Sequence, residues 1–88
     1  MIPIMKKDYE DEDGIAGEIR IGWASWDEGQ YKAKSIKWAY KDKTGKISRG
    51  SPEVPFDVLV EMVLFALKNG ELRKEQVTDL QKALQRYG

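Results

Sequence analysis

Residues Phe56 to Asn69 set the tightest limit on what this chain can fold into. Ten of these fourteen positions are apolar, and Asp57, Glu61 and Lys68 form the one narrow charged stripe. Pro55 suits the first turn of a helix, where its missing N–H is not needed, and Gly70 supplies a left-handed cap. The pattern predicts a helix over about 56–69 that wants burial on nearly every side. A second helix is expected over about 73–87. There Val77, Leu80, Leu84 and Tyr87 recur at helical spacing, while Glu75, Asp79, Lys82 and Arg86 stay outside. It can cover one side of the first helix. The apolar surface left over is expected to meet a second copy, giving a homodimer through helix 56–69.

Upstream the period changes from helical to two. From Glu18, Ile19, Ile21 and Trp23 alternate with Arg20, Gly22, Ala24 and Trp26, which predicts a strand over about 18–26. Asp27-Glu28-Gly29-Gln30 reads as a turn, and a second strand follows over about 31–41. Asp42-Lys43-Thr44-Gly45 is a stronger turn signal, with an Asp acceptor opening it and a glycine for positive φ. A third, shorter strand carrying Ile47 is expected over about 46–51. Ser51-Pro52-Glu53-Val54-Pro55 is expected to end the sheet, since neither proline can donate to a ladder; only Glu53-Val54 offers material for a fourth strand. The fold class is therefore α+β: an antiparallel three-stranded meander, or a four-stranded one if Glu53-Val54 pairs, followed by two α-helices and forming one domain over 18–88.

Residues 1–17 read as an acidic flexible arm. Among the first eighteen residues Asp8, Glu10, Asp11, Glu12, Asp13 and Glu18 face only Lys6 and Lys7, with no apolar periodicity. Such an arm is a solubilising tail or an acidic pseudo-ligand for a basic strip. No secretory signal pattern and no bilayer-length apolar run occurs, so a cytoplasmic protein without membrane contact is expected. The chain has neither Cys nor His. The usual nucleophiles, general bases and transition-metal ligands are thus missing, and neither an enzyme nor a cofactor is expected. Gly14-x-x-Gly17 precedes a strand rather than a helix, Lys43-Thr44-Gly45-Lys46 lacks the spacing of a nucleotide loop, and Asp8–Asp13 departs from a calcium loop.

The formal net charge is zero, but it is unevenly spread. Between Gln30 and Gly50 six lysines and Arg49 face a single acid, Asp42. A focused basic strip can steer an anionic partner that the whole molecule would not attract. The alternation puts Ile19, Ile21, Trp23, Ile36, Trp38, Tyr40 and Ile47 against the helices. The opposite face then presents Arg20, Trp26, Tyr31, Lys37 and Lys41 around Gly22, Ala24, Ala33 and Ala39. Small residues leave backbone accessible, aromatics can stack bases, and cations can neutralise phosphates. The expected function is a small non-catalytic module for single-stranded DNA or RNA. Its candidate site is Arg20, Trp26, Tyr31, Lys37, Lys41, Lys43, Lys46 and Arg49, with Trp26 and Tyr31 stacking. The alternative is a protein–protein interaction or inhibitor protein that uses the same sheet face or the apolar first helix.

The stretch Ser35-Ile36-Lys37-Trp38-Ala39-Tyr40-Lys41-Asp42-Lys43-Thr44-Gly45-Lys46-Ile47-Ser48-Arg49-Gly50 resembles the central hairpin of the positive-cofactor family of transcriptional coactivators. The resemblance extends over about 50 residues, Ile19 to Leu67, and implies a curved antiparallel sheet backed by a helix, a dimer, and single-stranded DNA as ligand. It assigns Lys37, Tyr40 and Arg49 to the nucleic-acid surface, with Asp42 and Gly45 shaping the turn. Alternation alone instead places Tyr40 against the helices.

Overall fold

The computed structural model describes all 88 residues, Met1–Gly88. Its elements are strands β1 (Ile2–Glu10), β2 (Ala16–Trp23), β3 (Lys34–Tyr40) and β4 (Val54–Pro55), then helices α1 (Phe56–Lys68) and α2 (Lys74–Tyr87). The strands make one antiparallel sheet in the order β1-β2-β3-β4. The α+β meander followed by two helices is therefore present. The chain divides into two compact units, Met1–Phe56 and Asp57–Gly88, rather than an arm and one domain. Neither helix is long and apolar enough to cross a membrane.

Three expectations change in the sheet unit. The acidic arm is not a free tail: Ile2–Glu10 is the edge strand, paired along its length with β2. A one-residue irregularity between Pro3 and Met5 resets the register, so Ile2, Met5, Lys7 and Tyr9 share the face of Trp23, Ile21, Ile19 and Gly17. Segment 46–51 is not a strand; it holds only an isolated bridge, Lys41↔Ile47. The fourth strand is Val54–Pro55, with Pro55 opposite Ser35. A proline is tolerated there because β4 is an edge and its outer side needs no donor.

Cross-strand pairing sorts the side chains, because directly opposed residues lie on the same face. One face carries Ile19, Ile21 and Trp23 opposite Trp38, Ile36 and Lys34, all half-buried except the exposed Lys34. The other carries Glu18, Arg20 and Gly22 opposite Ala39, Lys37 and Ser35. The small residues of this second face were expected to be open. They are instead the best buried of the unit: Ser35 and Ala39 are fully covered and Ala24 nearly so. Around Ser35 the cover is held by Glu53, whose carboxylate accepts hydrogen bonds from Ser35 Oγ (2.8 Å), Ser25 N (3.1 Å) and Ser25 Oγ, with the Met1 amino group 3.4 Å away. Burial pushes the Glu53 carboxyl up, but the Ser25 and Ser35 hydrogen bonds and the amino-terminal charge reverse this and bring it to about 2.

The helical unit forms where the apolar pattern and its punctuation predict. Gly70 closes α1 with φ at 68°; its N–H donates to Leu67 O and that of Glu71 to Ala66 O, a paired left-handed cap. Val63 of α1 borders a depression shared with Leu72, Gln76 and Leu80 on the α2 side. Yet no residue of either helix is fully buried. Seven large apolar side chains of α1 are exposed, up to 71% for Phe65.

Candidate nucleic-acid interface

The eight residues singled out from the sequence do not form one patch. Trp26 and Tyr31 sit in the loop between β2 and β3; the other cations beyond Lys37 follow the far end of β3. Seven residues of strand separate these ends by about 20 Å. Trp26 belongs to a short 3₁₀ turn, Ser25–Asp27. This loop is organised by Asp27, whose carboxylate accepts from the N–H groups of Ala33 (2.9 Å), Lys32 (3.1 Å) and Gly29 (3.2 Å). Those bonds, led by Ala33, hold its carboxyl below the usual value. Tyr31, at φ 55°, turns its ring against Trp23 edge-on at 5.8 Å, and Lys34 Nζ lies 5.3 Å over the Trp23 ring. Tyr31 thus joins the face of Trp23 rather than that of Arg20 and Lys37.

Arg20 and Lys37 are brought together, directly opposed across β2 and β3, with Lys6 opposite Arg20 on β1. Three cations in a row across a sheet repel one another. Glu18, in the next row, relieves this: Arg20 Nη2 and Nε donate to its carboxylate at 2.7 and 2.9 Å, and Lys6 Nζ stands 3.3 Å away. The Arg20 hydrogen bond, then Lys6, holds the Glu18 carboxyl below its ordinary value. Arg20 is therefore occupied by an internal partner. Lys41 borders a depression lined also by Asp8, Glu10 and Glu18.

The turn beyond β3 differs. Asp42 is its organiser: Thr44 Oγ1 (2.6 Å), Thr44 N (2.9 Å) and Lys46 N (3.2 Å) all donate to its Oδ1, and Gly45 takes φ 81°. Those bonds, the Thr44 hydroxyl first, keep its carboxyl below the usual range. The one acid of the basic stretch is thereby turned inward on the backbone, while Lys43, Lys46 and Arg49 are exposed.

Beside this turn lies an aromatic group that the sequence reading assigned elsewhere. Tyr9 and Trp38 meet edge-on at 5.6 Å, and Trp38 and Tyr40 lie 6.4 Å apart on the same face. Gly17 makes room beneath: a Cβ there would stand 2.9 Å from Trp38 Cη2. The loop after the turn folds back on Tyr40. Ser48 N donates to Tyr40 O at 2.8 Å, and a side chain at Gly50 would come within 3.6 Å of the Tyr40 hydroxyl. Arg49 lies between these two anchors. Tyr40 shares the Trp38 face as alternation requires, yet stands next to the cations. Tyr9 was missed because its strand was read as a tail; the alternation of Met5, Lys7 and Tyr9 was its only signal.

Comparison with family models, with curated proteins and with solved structures gives no match.

Proposed function

We propose that the sheet unit is a non-catalytic binding module for single-stranded nucleic acid, and that the contact is made at the end of the sheet where β3 meets the turn. The observation carrying this reading is the aromatic group of Tyr9, Trp38 and Tyr40 at the end of β3, from which the segment bearing Lys43, Lys46 and Arg49 leads and then folds back on Tyr40, with Asp42 consumed inside the turn. Bases stack on such rings irrespective of sequence, at about 1–3 kcal/mol each, and neighbouring cations neutralise the intervening phosphates. Lys37 adds a half-buried cation on the reverse face, and Trp26 and Tyr31 offer a second aromatic group for a longer strand. The resemblance of the Ser35–Gly50 hairpin to the positive-cofactor family supports the same ligand class through Tyr40 and Arg49. The module works as a homodimer joined through α1.

The test is fluorescence anisotropy of a labelled mixed-sequence single strand, DNA and RNA in parallel, over a series of salt concentrations. Micromolar, salt-sensitive binding is expected. Lys43→Ala with Lys46→Ala should flatten the slope of log affinity against log salt by about 1.4, at about 0.7 per lost contact. Tyr9→Ala should weaken binding about tenfold at every salt concentration. Absence of binding at low salt would dismiss the reading.

A second reading, a protein–protein interaction module, draws on a separate observation. Seven of the exposed side chains of α1 are large and apolar, which suits a protein surface and not a phosphate backbone.

A further inference from the structure

The apolar surface of α1 has two sides. Val63, with Leu59 and Ala66 on adjoining turns, lies on the side bordered by Leu72, Gln76 and Leu80, and all three are half-buried. The opposite side is a shallow groove formed by Val58, Met62 and Phe65 at helical spacing, flanked by Glu61 and Lys68. These three apolar side chains are 43%, 54% and 71% exposed. Exposure of that kind over two turns leaves a contiguous apolar patch of a few hundred Å², the size that marks an interaction surface on a small domain.

We infer that this groove is occupied by the same groove of a second copy, with the two α1 helices antiparallel about a two-fold axis that crosses the groove beside Met62, level with position 63. A two-fold contact requires a self-complementary surface, and the charges of α1 meet that requirement in one direction only. Asp57 and Glu61 lie in the first half of the helix and Lys68 in its last turn. In the antiparallel arrangement each Lys68 lies level with Val58 of the other copy, within one turn of that copy's Asp57 and Glu61. Met62 meets its equivalent near the axis, and Phe65 covers the hydrocarbon part of Glu61. A parallel two-fold arrangement would instead carry the charged flanks of the two copies to opposite sides of the seam, leaving Lys68 with no acid across it. Antiparallel pairing also opposes the two helix dipoles favourably.

Sedimentation velocity on the whole chain, without nucleic acid, separates this inference from the binding reading. A dimer is expected at micromolar concentration. Met62→Glu with Phe65→Glu should give a monomer whose circular dichroism keeps the helical signal. Lys68→Glu alone should weaken the dimer about tenfold, since it sets three acids together twice per interface. Asp57→Lys, Glu61→Lys and Lys68→Glu combined should restore most of that loss, because every antiparallel pair is again of opposite sign. A monomeric wild-type chain at about 100 μM, far above the Kd expected of such an interface, would overturn the inference. So would a Lys68→Glu chain that dimerises as well as the wild type, or a failure of the triple exchange to restore association.

Discussion

In the sheet unit one carboxylate, Glu53, gathers hydrogen bonds from the loop after β2 and from the start of β3, while Asp27 and Asp42 each organise a loop in the same manner. In the helical unit the side-chain hydrogen bonds are local and terminal, from Asn69 to Phe65 O and from Arg73 N to Gln76. The apolar balance runs the other way. The sheet unit buries only small residues, Gly17, Gly22, Ala24, Ser35 and Ala39, whereas α1 alone offers seven large apolar side chains to its surroundings. A small sheet with so slight a core is fixed by directional bonds to charged acceptors, which are worth more than neutral ones. A helical hairpin without them depends on apolar contact.

The contrast can be broken most severely at Gly17. A Cβ there would lie 2.6 Å from Ala39 O and 2.7 Å from Tyr40 Cα, backbone atoms that cannot step aside. Gly17→Val should cost at least about 3 kcal/mol in urea unfolding. All three tryptophans lie in the sheet unit, so their fluorescence follows that unit alone, while the far-ultraviolet dichroism is dominated by the helices. Separate transitions by the two probes are expected for this variant; coincident ones would show that the units unfold as one.

Glu53 sharpens the comparison through pH. Its folded-state pKa, about 2, lies below the ordinary 4.5. A depressed carboxyl stabilises fully above its unfolded value and loses that contribution as pH falls through the folded one. The sheet unit should therefore weaken progressively between pH 4.5 and 2, by about 2–3 kcal/mol in all. Glu53→Gln should lose about 2 kcal/mol at neutral pH and flatten this acid limb of the tryptophan-detected stability curve. The smallest effect belongs to the helical unit. Gly70→Ala, at φ 68°, should cost about 1 kcal/mol in the dichroism transition and leave tryptophan fluorescence unmoved.

Both helices were legible in the sequence because their signals are local. Pro55 and Gly70 punctuate α1, and the 3.6 period of Val77, Leu80 and Leu84 marks α2. The central strands and the Asp42–Gly45 turn were legible for the same reason. What failed was pairing at a distance. The bulge between Pro3 and Met5 breaks the alternation of β1, and the intervening acids and lysines give the composition of a tail. At 46–51 the turn chemistry is sound, but the chain after it makes a single bridge before leaving the ladder. The candidate site was half legible. Lys43, Lys46 and Arg49 stand exposed as expected, while Arg20 is held by Glu18, two residues away on its own strand, and Lys41 borders a depression with Asp8 and Glu10 of β1. The aromatic partner of the turn became visible only with β1 in place, because Tyr9 meets Trp38 through a strand the composition conceals.

The outer edge of β1 leaves nine residues of strand open to solvent, an edge long enough to recruit other chains into stacked fibrils. Pro3 removes a donor from it, the bulge at Ile4 interrupts its flatness, and Lys6 and Lys7 place charge on both of its faces. These few residues therefore protect the molecule's solubility in concentrated solution.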